Sequence, residues 1–191
     1  MARDASTSVN RRTDIISAAI EVFAETGYYR ATTAQVAQRA HISQPYVFRF
    51  FSTKEALLLA ALEVSWSRMI DSFQQVVKSA SPERLEAELI TEYEKIMENH
   101  RNEILLQMQS QTIQEEAIQE ATRNGFREVR QIILQAFREA RIPQAEERTM
   151  LFLARGMLCN VADAISLPEL KEGQGDGRGL LSLMDFFMNS Y

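Results

Sequence analysis

The chain has 191 residues, 46% apolar and 25% charged, and a net charge of −5 from 21 basic and 26 acidic side chains. A single cysteine and two histidines exclude a disulfide framework and an all-cysteine zinc site, so no metal or other cofactor is expected. Seven Gly, four Pro and a longest apolar run of only seven residues (Ala56–Leu62) argue against a turn-rich β sandwich and a membrane span, leaving a soluble, cytoplasmic, all-α protein.

Residues 1–9 are small and polar without periodicity and read as a disordered arm; with Asp4 and Asp14 nearby, the segment is no secretory signal. Ile16, Ala19, Ile20 and Phe23 then share one helical face, and Gly27 supplies a stop before Tyr28 and Tyr29. Thr33 is taken as the N-cap of a second, short helix that buries Val36, Ala37 and Ala40 and breaks at His41. Ser43 is taken as the cap of a third, with Pro45 in its first turn, where a missing N–H costs little. A fourth helix follows Thr53 and runs to about Lys78, carrying Leu62, Trp66, Met69, Ile70, Phe73 and Val77 along one side.

Five further helices are expected near 83–99, 102–111, 114–140, 144–167 and 180–189, about nine in all. The Gly-rich loop at 173–179 lacks the strand before it and the Lys-Ser/Thr after it that a phosphate cradle needs. Charge divides unevenly. Residues 1–55 hold seven basic against five acidic side chains, whereas the remainder holds 14 against 21. A locally basic head on an acidic body suits binding to DNA at one end.

Three helices ending in Ser43-Gln44-Pro45-Tyr46-Val47-Phe48-Arg49-Phe50-Phe51 have helix-turn-helix proportions. Here the chain strongly resembles the tetracycline-repressor (TetR) family of bacterial transcription regulators. The resemblance is densest over residues 16–58: Ala19, Phe23, Gly27-Tyr28, Thr32-Thr33, Val36-Ala37, Ala40, Ile42-Ser43, Phe51 and Lys54-Glu55-Ala56-Leu57. It implies a DNA-binding head over 10–55 and a helical effector-binding and dimerisation domain over 56–191, acting as a repressor on a palindromic double-stranded operator.

Carried over position by position, the resemblance makes Thr33 a phosphate-contacting cap and sets Ser43, Gln44, Pro45 and Tyr46 at the start of the recognition helix. Gln can pair bidentately with adenine, while Pro45 and the Tyr46 ring can touch a thymine methyl. Lys54 resembles the family's phosphate-binding lysine. Departures are His41 where many members have Gly, Ala34 where some have a base-reading cation, and Phe48 where many have Tyr. Phe48 cannot donate to phosphate, a contact Arg49 next door can take over. Arg11, Arg12 and Arg30 are either solvated charges or further phosphate contacts.

A helix-turn-helix reads few base pairs alone, so a homodimer is expected. The last two predicted helices carry more apolar surface than one face needs; Phe152, Gly156, Cys159, Leu183 and Phe187 are the candidate interface, in keeping with the four-helix contact the resemblance implies. Trp66, Met69, Phe73, Tyr93, Met97, Met108, Gln111 and Phe126 are candidates to line a malleable pocket for a largely neutral, hydrophobic or aromatic effector. The same residues at helical spacing also read as core. A DNA-binding regulator without an effector and an all-helical enzyme are the alternatives, although no catalytic constellation stands out.

Overall fold

The computed structural model describes residues 2–171, with side chains from Asn10 onward. Among the described residues it is all helical: α1 (Ala2–Thr26), α2 (Thr33–Arg39), α3 (Gln44–Val47), α4 (Lys54–Ser79), α5 (Leu85–Asn99), α6 (Arg101–Ser110), α7 (Glu116–Glu139) and α8 (Ala145–Ala164), then a 3-10 turn at Pro168–Lys171. The ninth helix expected near 180–189 lies outside the described residues, as do Leu183 and Phe187.

Two compact units divide at Thr149/Met150. The first is organised around α4, which packs most extensively on α7 and also against α1, α5 and α6. Its core holds the fully buried Phe23, Leu57, Leu58, Leu62, Phe73, Ile133 and Phe137. Because α4 starts at Lys54, the head–body boundary expected at 55/56 falls in its first turn. The second unit begins within α8 and includes the turn at 168–171.

Two expectations are revised here. No break separates an arm from the first helix, which begins at Ala2 rather than near Asn10. Helix extends cheaply from a segment anchored by the buried Ile15, Ile16, Ala19 and Phe23. The N-cap of α2 is Thr32, not Thr33. Thr32 Oγ1 accepts from the Gln35 N–H at 3.2 Å, while Gln35 Oε1 accepts from the Thr32 N–H at 2.8 Å, a complete capping box.

Helix ends follow local chemistry. Gly27 has φ 77°, a left-handed conformation that closes α1. His41 takes the same role after α2 with φ 54°: its N–H donates to Gln38 O, and the Ile42 N–H to Ala37 O, a Schellman pattern ending α2 tightly enough for α3 to start at Gln44. Thr53 caps α4 by accepting from the Ala56 N–H at 3.0 Å.

Candidate nucleic-acid interface

The head is fixed by a short set of contacts. Val47 is wholly buried and anchors α3, with Val36 and Ala37 of α2 buried as well. Arg39 reaches from α2 to α1, donating to Glu21 at 2.5 Å and to Glu25 through both amino groups at 3.0 and 2.7 Å. That hydrogen bonding holds the Glu25 carboxyl below its ordinary value.

This packing leaves α3 with an exposed face. Ser43, Gln44, Pro45, Phe48 and Arg49 are exposed. Ser43 occupies the N-cap position with extended backbone, yet its side chain makes no capping bond. Gln44 Nε2 donates to Thr33 Oγ1 at 2.8 Å, so the displaced cap candidate orients the amide instead, and Thr33 itself is buried. Tyr46 is half-buried; its ring meets Phe50 edge-on at 5.4 Å, and the Arg49 guanidinium lies 5.2 Å from its centroid. Arg12 stands likewise over Phe51 at 5.3 Å, whereas Arg11 pairs with Asp14 at 3.6 Å.

Lys54 has a second task that sequence reasoning missed. Its ammonium donates to Tyr28 O at 2.8 Å, Ala31 O at 3.2 Å and Tyr29 O at 3.5 Å, and sits 4.4 Å from the Tyr28 ring centroid. It closes the turn between α1 and α2 by collecting three carbonyls of the segment that joins the two helices. With its N–H groups so engaged, Lys54 offers a nearby phosphate charge rather than a free donor.

The body candidates are not all alike. Trp66, Met69, Phe73 and Met97 are buried; Tyr93, Met108 and Phe126 are half-buried; Gln111 is exposed at the C-cap of α6. Trp66 meets Phe126 edge-on at 5.1 Å, and Phe73 lies 6.2 Å from Tyr93. Trp66 also presses on α7 so closely that a Cβ on Gly125 would come within 2.2 Å of its ring. In this form these residues pack helices together. The buried Ser65, Gln107, Ser110 and Thr122 add a polar seam there: Gln107 Nε2 donates to Ser65 Oγ at 3.1 Å, and Thr122 Oγ1 lies 2.9 Å from Ser110 Oγ. The Trp66 Nε1–H is buried without a partner. A separate open groove of about 280 Å³ runs between Ser17, Ile20 and Glu21 of α1 and residues 98–103 at the α5–α6 corner; none of the effector candidates lines it.

At that corner Glu103 is buried, its carboxylate accepting from Arg68 Nε at 3.0 Å with His100 Nδ1 at 3.7 Å. Burial pushes this carboxyl up despite the opposing pull of Arg68 and His100. α1 and the turn after it are tied to α6 and the start of α7 nearby. Gln109 Nε2 of α6 donates to Ala24 O of α1 at 2.9 Å, and the Tyr29 hydroxyl donates to Glu115 at 3.3 Å.

Of the dimer candidates, Phe152 and Gly156 are half-buried and Cys159 is buried. The exposed apolar side chains of α8 are instead Met150, Met157 and Val161, followed by Ile165. No described helix is long and apolar enough to cross a membrane, and no three His, Cys, Asp or Glu among the described residues are grouped to hold a metal.

Residues 15–61 match the family model described as bacterial regulatory proteins, tetR family. The HTH-type transcriptional activator FasR of Mycolicibacterium smegmatis is 32% identical over 74 residues, 39% of this chain and 34% of its own length. The match thus spans about a third of that relative. The fold is shared with the regulator FadR of Bacillus subtilis in complex with stearoyl-CoA, at a TM-score of 0.68 and 16% identity over 81% of this chain and 88% of that one. It is also shared with AibR in complex with isovaleryl coenzyme A and operator DNA, at 0.66 and 15% over 78% and 85%. A capped α2, a tight left-handed turn at His41 and an α3 whose polar face stays open are the physical content of the matched segment, and over residues 15–61 the chain is similar to the tetR family of bacterial regulatory proteins.

Proposed function

We propose that the chain is a homodimeric DNA-binding repressor, released from an inverted-repeat operator by a small effector with an apolar part. The observation that carries this reading is the exposed face of α3, where Gln44 is held by Thr33 while Val47 fixes the helix from behind. In the proposed complex the α3 N-terminus enters the major groove, Gln44 and Pro45 meet base edges, and Ser43, Thr33, Arg49 and Lys54 flank the phosphates. Tyr46, clasped by Phe50 and Arg49, presents its ring edge and hydroxyl rather than a free ring. The relatives named above are regulators of transcription, and the proposal gives the chain no catalytic role.

The effector would enter between α4, α5, α6 and α7, exchanging its own apolar surface for the packing of Met69, Met97, Met108 and Phe126, with Trp66, Phe73 and Tyr93 as walls. The unpartnered Trp66 N–H favours a ligand that brings an acceptor. The named complexes of FadR and AibR with acyl-CoAs make an acyl thioester the first class to try. Two connections can carry the response: α4, whose 26 residues span about 39 Å from Lys54 onward, and α6 through Gln109 and Ala24.

The test selects bound DNA from a random pool and then titrates the complex with acyl-CoAs of graded length. The expected result is an inverted repeat with half-sites about one helical turn apart or somewhat more, and a 5–150-fold loss of operator affinity with the right effector. Gln44→Ala should cost about 1–3 kcal/mol and relax one base position. A protein that enriches no sequence overturns the DNA reading. Since FasR is named an activator, a reporter carrying the selected site checks the sign: expression should rise when the protein is removed.

A further inference from the structure

Position 48 is where the family resemblance predicts a lost contact, because phenylalanine has no hydroxyl for phosphate. The structure shows something different at this position. Phe48 follows Gln44 by four residues and continues α3 as its C-cap with helical backbone, so both lie on one face, a turn apart. Phe48 is 48% exposed, one of the large apolar side chains that the described residues leave in water, whereas its neighbour Val47 is wholly buried. Tyr46 has Phe50 and Arg49 for company, and Phe48 shares in neither of those ring contacts.

An exposed ring on the open face of α3 gains free energy when an apolar group covers it. Base edges in the major groove offer one apolar feature, the C5 methyl of thymine. We propose that Phe48 is a specificity-determining residue that reads a thymine methyl, in the same half-site as the base read by Gln44. The inference rests on α3 being the recognition helix. Four residues of helix rise about 6 Å, so the thymine lies about two base pairs from the Gln44 contact. Burying a methyl against the ring is worth about four-fold in affinity for each half-site.

The experiment uses the full chain and its selected operator, in which each thymine of a half-site is replaced in turn by deoxyuridine. That change removes the methyl and leaves every hydrogen-bonding edge intact. One position should lower wild-type affinity about four-fold, and Phe48→Ala should be insensitive to the same replacement while binding the thymine form about sixteen-fold more weakly, because the variant dimer loses the contact in both half-sites. The scan on the wild-type protein needs no variant, so a Phe48→Ala chain that fails to fold leaves the test intact. Two results overturn the proposal: no deoxyuridine position matters to the wild-type protein, or Phe48→Ala keeps the full methyl effect. A Phe48→Ala loss that is equal on operator and unrelated DNA assigns the ring to the sugar–phosphate backbone instead, again against the proposal. Failure to enrich any operator is a separate outcome and removes the recognition-helix reading with it.

Discussion

Lys54 is a structural residue as well as a proposed phosphate neighbour. Its ammonium gathers the carbonyls of Tyr28, Tyr29 and Ala31 and lies over the Tyr28 ring, so its removal leaves three acceptors short of a partner. Lys54→Ala should weaken all DNA sequences alike and flatten the salt dependence by about one phosphate. It should also cost about 1–2 kcal/mol of folding free energy, visible as a lower melting temperature and faster amide exchange at residues 27–31. An unchanged melting temperature would show that the turn holds itself. Glu103 makes the second case at this scale. Its carboxyl is pushed up by burial, so between the ordinary value of 4.5 and its raised value the folded state holds more proton than the unfolded one. Stability therefore falls as pH rises through that window, and the pull of Arg68 and His100 limits the fall. Arg68→Met removes the guanidinium beside Glu103 and should destabilise by about 1–2 kcal/mol near pH 7, discounted for the half-exposed guanidinium, with the deficit shrinking as the pH is lowered and Glu103 takes up its proton. A deficit independent of pH would assign the loss to packing of the Arg68 stem.

Elements were legible in the sequence wherever one residue decides the matter locally. Thr53 capping α4, Gly27 ending α1 and the left-handed His41 all follow from their own chemistry. The cap of α2 was equally legible in principle, because Thr32 with Gln35 three positions on completes a capping box and Thr33 has Val36, not Glu or Gln, at that spacing. Faces of α3 were not legible, since a four-residue helix is too short for periodicity, and its open side depends on how Val47 seats against α2. The polar seam of Ser65, Gln107, Ser110 and Thr122 joins three helices distant in sequence, which no local pattern announces. For the same reason a stripe of Met and aromatic residues reads equally as pocket or as core. Gly125 probes that choice between α4 and α7. Its missing Cβ admits the Trp66 ring, and an added methyl would sit 2.2 Å from a ring atom. Gly125→Ala gains helix propensity of about 1 kcal/mol but displaces a buried indole at a cost of about 1–3 kcal/mol. A net drop in melting temperature, with loss of the native Trp66 fluorescence, is the expected outcome; a rise would mean that Trp66 has room to move, as a ligand pocket would require.

At the scale of the whole molecule, the proposed reading of two half-sites needs two copies of the chain, and among the described residues α8 carries an exposed apolar surface suited to that. Met150, Met157 and Val161, with Ile165 just beyond its end, recur at spacings of seven, four and four, which is one helical stripe. Apolar area of this kind gains about 25 cal/mol per Å² when covered, and stable pairs cover about 800 Å² on each partner. The stripe differs from the described part of the expected interface, Phe152, Gly156 and Cys159, which are half-buried or buried, while Leu183 and Phe187 lie outside the described residues. The two sets make opposite predictions for substitution. If the stripe is the contact, Met157→Asp sets a charge at its centre and should shift the solution mass at micromolar concentration from twice 21.8 kDa towards 21.8 kDa, while Met157→Leu leaves it alone. Folding should change little, because Met157 is 45% exposed in the single chain. DNA binding should fall far more than stability does. Two linked heads gain about 10²–10⁴ over one, and Met157→Asp would surrender that gain with α3 untouched. A Met157→Asp chain that stays dimeric would move the interface to another face, and a wild-type chain of 21.8 kDa in solution would remove the dimer from the mechanism altogether.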